Sequence, residues 1–168
     1  MGFTCSVCGE YHDETLRDIR AGLPEPVFAL AEHEREERVE VSDDWCRFLD
    51  ASGESRFYTR GLLHLPGDRT DEEFRFGVWI EVSAADFYRL GELWHDVRGH
   101  ESAPFFGRLA NELSPYRGTV GLPVALQLRE VSVLPAVVVL DPDHPLGRDQ
   151  RAGLGAAAVR RLAETVLH

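Results

Sequence analysis

The chain has 168 residues, 43% hydrophobic and 28% charged, with 29 acidic side chains against 18 basic and a formal net charge of −11. That length suits one domain able to bury a core without disulfides, and the composition is too apolar for a disordered chain. The charge argues against nucleic-acid phosphates and anionic lipid as partners, and no apolar run has the length of a signal peptide or a membrane span, so a cytoplasmic protein is expected.

From the N-terminus, the stretch Phe3 to His12 is short and turn-rich and holds two of the three cysteines, which predicts a knuckle. Gly22 and Leu23-Pro24-Glu25-Pro26 predict an irregular connection. The charged run from Ala31 starts as a helix and passes into a strand at Val39 to Val41. Arg56 to Leu65 alternates as a strand ended by Pro66-Gly67-Asp68, and Phe74 to Val82 makes its antiparallel partner. Ser83 is placed as an N-cap with Asp86 in the first turn, and Phe87, Leu90 and Trp94 recur at helical spacing, giving a helix from Ala84 to His95.

A second short helix is expected near Phe106 to Leu113, between Pro104 and Pro115. Leu122 to Glu130 and Pro135 to Leu140, rich in Val and Leu, read as strands. Asp141 to Pro145 reads as a loop, and Leu154 to Leu167 as an amphipathic helix. The expected fold is α+β: an antiparallel sheet flanked by helices, with an N-terminal zinc-knuckle-like turn. One domain is expected over residues 1–168, with the knuckle within 1–46 and the α+β core within 47–168.

Cys5-Ser6-Val7-Cys8-Gly9 is the most specific chemical signal. Two cysteines separated by two residues can direct both thiolates at one tetrahedral ion, and the glycine permits the tight turn. A structural zinc needs four ligands, so Cys46 is the natural third and His12, four residues past Cys8, the fourth, with His33 as the alternative. The competing reading has the cysteines as surface thiols and Cys46 as a small buried hydrophobe beside Trp45. A redox role lacks the βαβ context that such a pair requires.

Asp141-Pro142-Asp143-His144-Pro145, followed by Asp149 and Gln150, gathers carboxylates and an imidazole after a buried strand. It reads either as a capped prolyl turn or as a weaker metal site of Asp143, His144 and Asp149. His64, His95 and His100 receive no role. Trp79, Phe87, Trp94, Phe105 and Phe106 have core-like spacing.

The set CSVCGEYH, SDDWC, FYTRGLLHLP, FGVWIEVS, PFFGRLANELSPY and DPDHPLGRDQRAG, spread over nearly the whole chain, resembles an uncharacterised bacterial family known only as a domain of unknown function. The resemblance implies a small, single-domain bacterial protein, with cysteines and a histidine at positions matching Cys5, Cys8, His12 and Cys46; no activity or catalytic residue comes with it. The functional expectation is a non-enzymatic, zinc-binding module offering a surface to a protein partner, in the manner of an immunity protein that neutralises a basic toxin. The alternative is a metal-dependent hydrolase. No nucleic acid or membrane partner is expected.

Overall fold

The computed structural model describes residues 3–12, 18–67 and 73–167. Strands β1 (Phe3–Thr4) and β2 (Tyr11–His12) form a small hairpin. There follow β3 (Asp18–Arg20), helices α1 (Glu25–Phe28) and α2 (Glu32–Arg38), and strands β4 (Val39–Val41) and β5 (Trp45–Leu49). Next come the long strands β6 (Ser55–Leu65) and β7 (Phe74–Val82), then α3 (Ala84–Leu93). Strands β8 (Phe105–Leu109), β9 (Pro123–Gln127) and β10 (Ala136–Val139) precede the closing helices α4 (Pro145–Ala152) and α5 (Ala156–Leu167).

The expected antiparallel sheet flanked by helices is corrected to a closed five-stranded barrel of mixed pairing, with extra strands. Strands β6, β7, β8, β9 and β10 pair antiparallel in succession, and β10 then returns to pair parallel with β6 through Ala136↔Leu62 and Val137↔Leu63. Both long strands serve twice. The N-terminal half of β6 pairs with β5, and the N-terminal part of β7 takes β3 in parallel through Asp18↔Arg75 to Arg20↔Gly77.

Alternation along these strands decides the core. Phe57, Leu63 and Leu65 of β6, Phe76, Val78 and Ile80 of β7, and Leu126 and Val137 from the far wall all point inward and are buried. Trp45 of β5 meets Phe87 and Trp94 of the α3 region edge-on, at ring centroid distances of 5.2 and 5.1 Å, which joins the helix to the same core. On the opposite face of β5 to β7, Cys46, Phe48, Tyr58 and Trp79 form a second cluster under Val27 of α1 and Ala110. Asn111 secures that lid: its Oδ1 accepts from Trp79 N–H at 2.7 Å and its Nδ2 donates to Leu23 O at 2.8 Å.

The β6–β7 hairpin, the Ser83 cap of α3 and the last helix are found where expected. The helix expected near Phe106 to Leu113 is a strand, β8, because Phe105, Gly107 and Leu109 alternate inward and pair with β7 and β9. The expected loop after Asp141 passes straight into α4, and the Pro-rich connection at Leu23 contains the short α1.

Closure depends on a missing side chain. Gly61 lies on the inward face of β6 beside the parallel seam, where a Cβ would overlap Val137 Cγ2 and stand 3.1 Å from Leu126 Cδ2. Gly61→Ala is expected to destabilise the fold by about 1–3 kcal/mol through overpacking, read as a lower urea midpoint at unchanged m-value. A change below about 0.5 kcal/mol would refute this account of the seam.

Candidate functional site

The N-terminal hairpin turns tightly between β1 and β2. Cys5 N–H donates to Glu10 O at 2.9 Å, and Gly9 N–H donates to Cys5 O at 3.0 Å. Gly9 takes φ 75°, a left-handed conformation that glycine adopts without strain. Val7 N–H donates to Cys5 Sγ at 3.4 Å. The knuckle rests on α5 rather than on the sheet. Ser6 N–H and Oγ donate to the Glu164 carboxylate at 2.9 and 2.8 Å, and Cys5 packs against Ala163.

Cys46 is placed elsewhere. It is fully buried in β5 among Val27, Phe48, Tyr58, Trp79 and Ala110, a cluster that does not include Cys5. Burial pushes its thiol up to about 11, against the deprotonation that a metal ligand needs. The backbone of His12 lies in β2, while its side chain falls outside the described residues; His33 is exposed on α2. Among the described residues, no three His, Cys, Asp or Glu side chains converge where they could hold one ion.

The Asp141 to Gln150 segment, the second candidate from sequence, is occupied with holding the chain together. Asp141 Oδ1 accepts from Asp143 N–H at 2.9 Å and His144 N–H at 3.3 Å. His144 caps α4, its Nδ1 accepting from Leu146 N–H at 3.1 Å, and its Nε2 stands 2.8 Å from Arg117 O. With Nδ1 accepting, Nε2–H is the donor to that carbonyl. Tyr116 OH donates to Asp149 at 2.6 Å, and burial followed by that bond raises the phenol above its ordinary value. Gln150 extends the sheet in place of a strand, Oε1 accepting from Val139 N–H and Nε2 donating to Val137 O, each at 2.8 Å.

A cleft of about 530 Å³ opens between the Ala21 to Glu25 segment and the Asn111 to Ser114 loop, walled by Ile19, Leu23, Phe28, Phe76 and Leu113. Its carboxylates are committed. Glu112 accepts N–H bonds from Gly118 at 2.7 Å, Thr119 at 3.1 Å and Val120 at 3.4 Å, and Glu25 accepts from Glu112 N–H at 3.2 Å. Neither the knuckle cysteines nor the His144 segment lines it.

The exposed face of β8, β9 and β10 was hidden from sequence reading. Register places Phe106 opposite Ala125, and Ala125 opposite Val138, in one row across three strands. Phe106 is 59% exposed, Val138 46% and Leu140 41%. The Phe105-Phe106 pair looks like core in a helical reading. Once the segment is known to be a strand, alternation sends Phe105 inward and Phe106 out.

The chain belongs to the family described as an uncharacterized protein conserved in bacteria (DUF2199), which it matches over residues 4–154. No curated protein and no solved structure matches it. The family span takes in the cysteine pair, the barrel and α4, and stops short of Ala163 and Glu164, on which the knuckle rests. No helix among the described residues is long and apolar enough to cross a membrane.

Burial of Cys46 has a chemical consequence. Neutral-pH iodoacetamide is expected to leave Cys46 unmodified in the folded protein and to alkylate it in urea, as peptide mass mapping would show. An exposed thiol ionises near 9.0, so the unfolded chain deprotonates first; this contribution to stability is intact below pH 9 and declines as pH rises toward about 11. Cys46→Ala should flatten that alkaline decline.

Proposed function

We propose that the protein is a non-enzymatic interaction module, in which zinc stiffens the N-terminal hairpin and the uncovered face of β8, β9 and β10 docks a partner protein. The observation that carries this reading is the in-register row of Phe106, Ala125 and Val138, left open to solvent on an otherwise well-covered barrel. Contiguous exposed apolar surface with an aromatic anchor marks docking sites more often than chance exposure does. A net charge of −11 favours a basic partner and would speed its encounter, as an immunity-type inhibitor of a basic toxin requires. The reading places the protein in the cytoplasm, where thiols stay reduced.

Support for the metal comes from the knuckle itself: the two-residue cysteine spacing, left-handed Gly9 and the N–H bond to Cys5 Sγ. Cys5, Cys8 and His12 are the proposed ligands, with a fourth donor closing the tetrahedron. Cys46 is left out on account of its burial among apolar side chains. A closed tetrahedron has no open position for substrate, which suits a structural role.

Elemental analysis of the purified protein is expected to find a single zinc ion per chain, lost in Cys5→Ser and Cys8→Ser together with thermal stability and retained in Cys46→Ser. Protein without zinc, or zinc unaffected by Cys5→Ser, would refute the metal assignment. For the docking face, a photo-crosslinking residue at Phe106 or Val138 in native bacterial cells should capture one recurrent basic protein, whereas the same probe at exposed Tyr88 should not. Equal capture at Tyr88, or no adduct at Phe106, would end that assignment. Phe106→Glu should shift stability by no more than about 0.5 kcal/mol while abolishing capture.

A further inference from the structure

The last helix, α5, is attached at separated points. Just before it, Leu154 is buried and pinned to the segment after β6: its N–H donates to Pro66 O at 2.6 Å, and it bridges to Gly67. Glycines flank this pin, Gly153 at φ 83° and Gly155 at the threshold of the helix, so the backbone can pivot on both sides of a fixed residue. Midway, Val159 and Leu162 reach the barrel core, while Ala156, Ala157 and Ala158 bring only methyl side chains to the first turn. Near the other end, Ala163 packs on Cys5, and Glu164 accepts from Ser6 N–H at 2.9 Å and Ser6 Oγ at 2.8 Å.

Ser6 lies between the two cysteines, so the turn that orients Cys5 and Cys8 also aims both Ser6 donors at α5. Glu164 is 9% exposed, and a carboxylate so buried depends on donors of this kind. The next residue, Thr165, lines the cleft of about 530 Å³ together with Ile19 and Phe76. The helix secured by the cysteine turn is therefore also part of the cleft wall. Glu164 and Thr165 both lie beyond residue 154, where the family match ends.

We propose that α5 is a hinged cover on this cleft, locked by the Ser6 to Glu164 bonds, and that metal in the cysteine turn sets the lock. The trigger rests on the zinc reading above; the hinge and the lock do not. With the turn held in shape, Ser6 keeps its donors on Glu164 and α5 stays down. Loss of the ion loosens the turn, and Glu164 then loses the two donors that make its burial tolerable. The helix swings about Gly153 to Gly155 while Leu154 stays pinned, which uncovers Val159 and Leu162 and widens the cleft beside Ile19 and Phe76. The barrel remains closed, because its seam joins β6 to β10 and does not involve α5. Opening of this kind is local unfolding of one unit on a standing core.

The test is hydrogen exchange read by mass spectrometry on the full chain, comparing peptides of α5 with peptides of β6 and β7. In Glu164→Ala the α5 amides are expected to exchange at least about tenfold faster than in the wild type, with β6 and β7 unchanged. Ser6→Ala leaves the helix sequence intact and removes one of the two bonds, so it should accelerate α5 by about threefold. Stripping zinc from the wild-type protein with a chelator should reproduce the Glu164→Ala pattern, and rebinding zinc should reverse it. The lock is overturned if both variants leave α5 at the wild-type rate, or if β6 and β7 accelerate along with it. If the protein holds zinc and α5 keeps its protection once stripped, the trigger is overturned while the metal assignment stands. Protein purified without zinc overturns the metal assignment and the trigger together, and the two variants still decide the lock.

Discussion

The parallel seam between β6 and β10 is the constraint on which the rest of the molecule depends. Four successive strand pairings are antiparallel, but they describe an open sheet until β10 comes back to Leu62 and Leu63. Closure removes two exposed strand edges and lets both walls bury against each other. It is sterically possible at Gly61, which gives up its side-chain volume to Val137 and Leu126. Once β10 is held there, α4 is anchored through Gln150, whose amide reads the N–H of Val139 and the carbonyl of Val137 as a neighbouring strand would.

Closure also determines what is left uncovered. Strands β5 to β7 carry a second cluster on their outer side, sealed by the Ala21 to Leu30 segment and secured by Asn111. Strands β8 to β10 have no such lid among the described residues, so their outer row of Phe106, Ala125 and Val138 meets water. The asymmetry follows from connectivity: the residues before β4 return over β6 and β7, and α3, α4 and α5 are spent on the barrel and its ends. Between the two regions lies Arg60, whose carbonyl partners come from the Asp43 turn and Ala21. It fastens these connections to the barrel wall.

Cysteine separation along the chain is a poor guide to cysteine separation in space. The local half of the expectation, a tight turn over Cys5 to Gly9, is present in the hairpin with an N–H bond to sulfur. The long-range half required Cys46 to face the hairpin. Cys46 instead sits directly opposite Tyr58 in the β5–β6 ladder, and a period of two commits its side chain to the Trp79 cluster. The Asp141 to Gln150 segment shows the complementary point: residue types suited to catalysis were drawn into an Asx turn, a helix cap and a strand-edge clip.

Sequence alone determined the local features whose causes lie within a few residues: the pairing of β6 with β7, the Ser83 cap, the amphipathic final helix and the Cys5-Cys8-Gly9 turn. It was misleading at Phe106 to Leu113, where apolar residues fit a helical period as well as an alternating one, and flanking prolines bound either. Tertiary structure alone decided barrel closure, the burial of Cys46 and Arg60, and the exposure of Phe106. Each depends on which distant strand lies alongside. That choice is made by summed side-chain packing across the closed core, which no window of neighbouring residues contains.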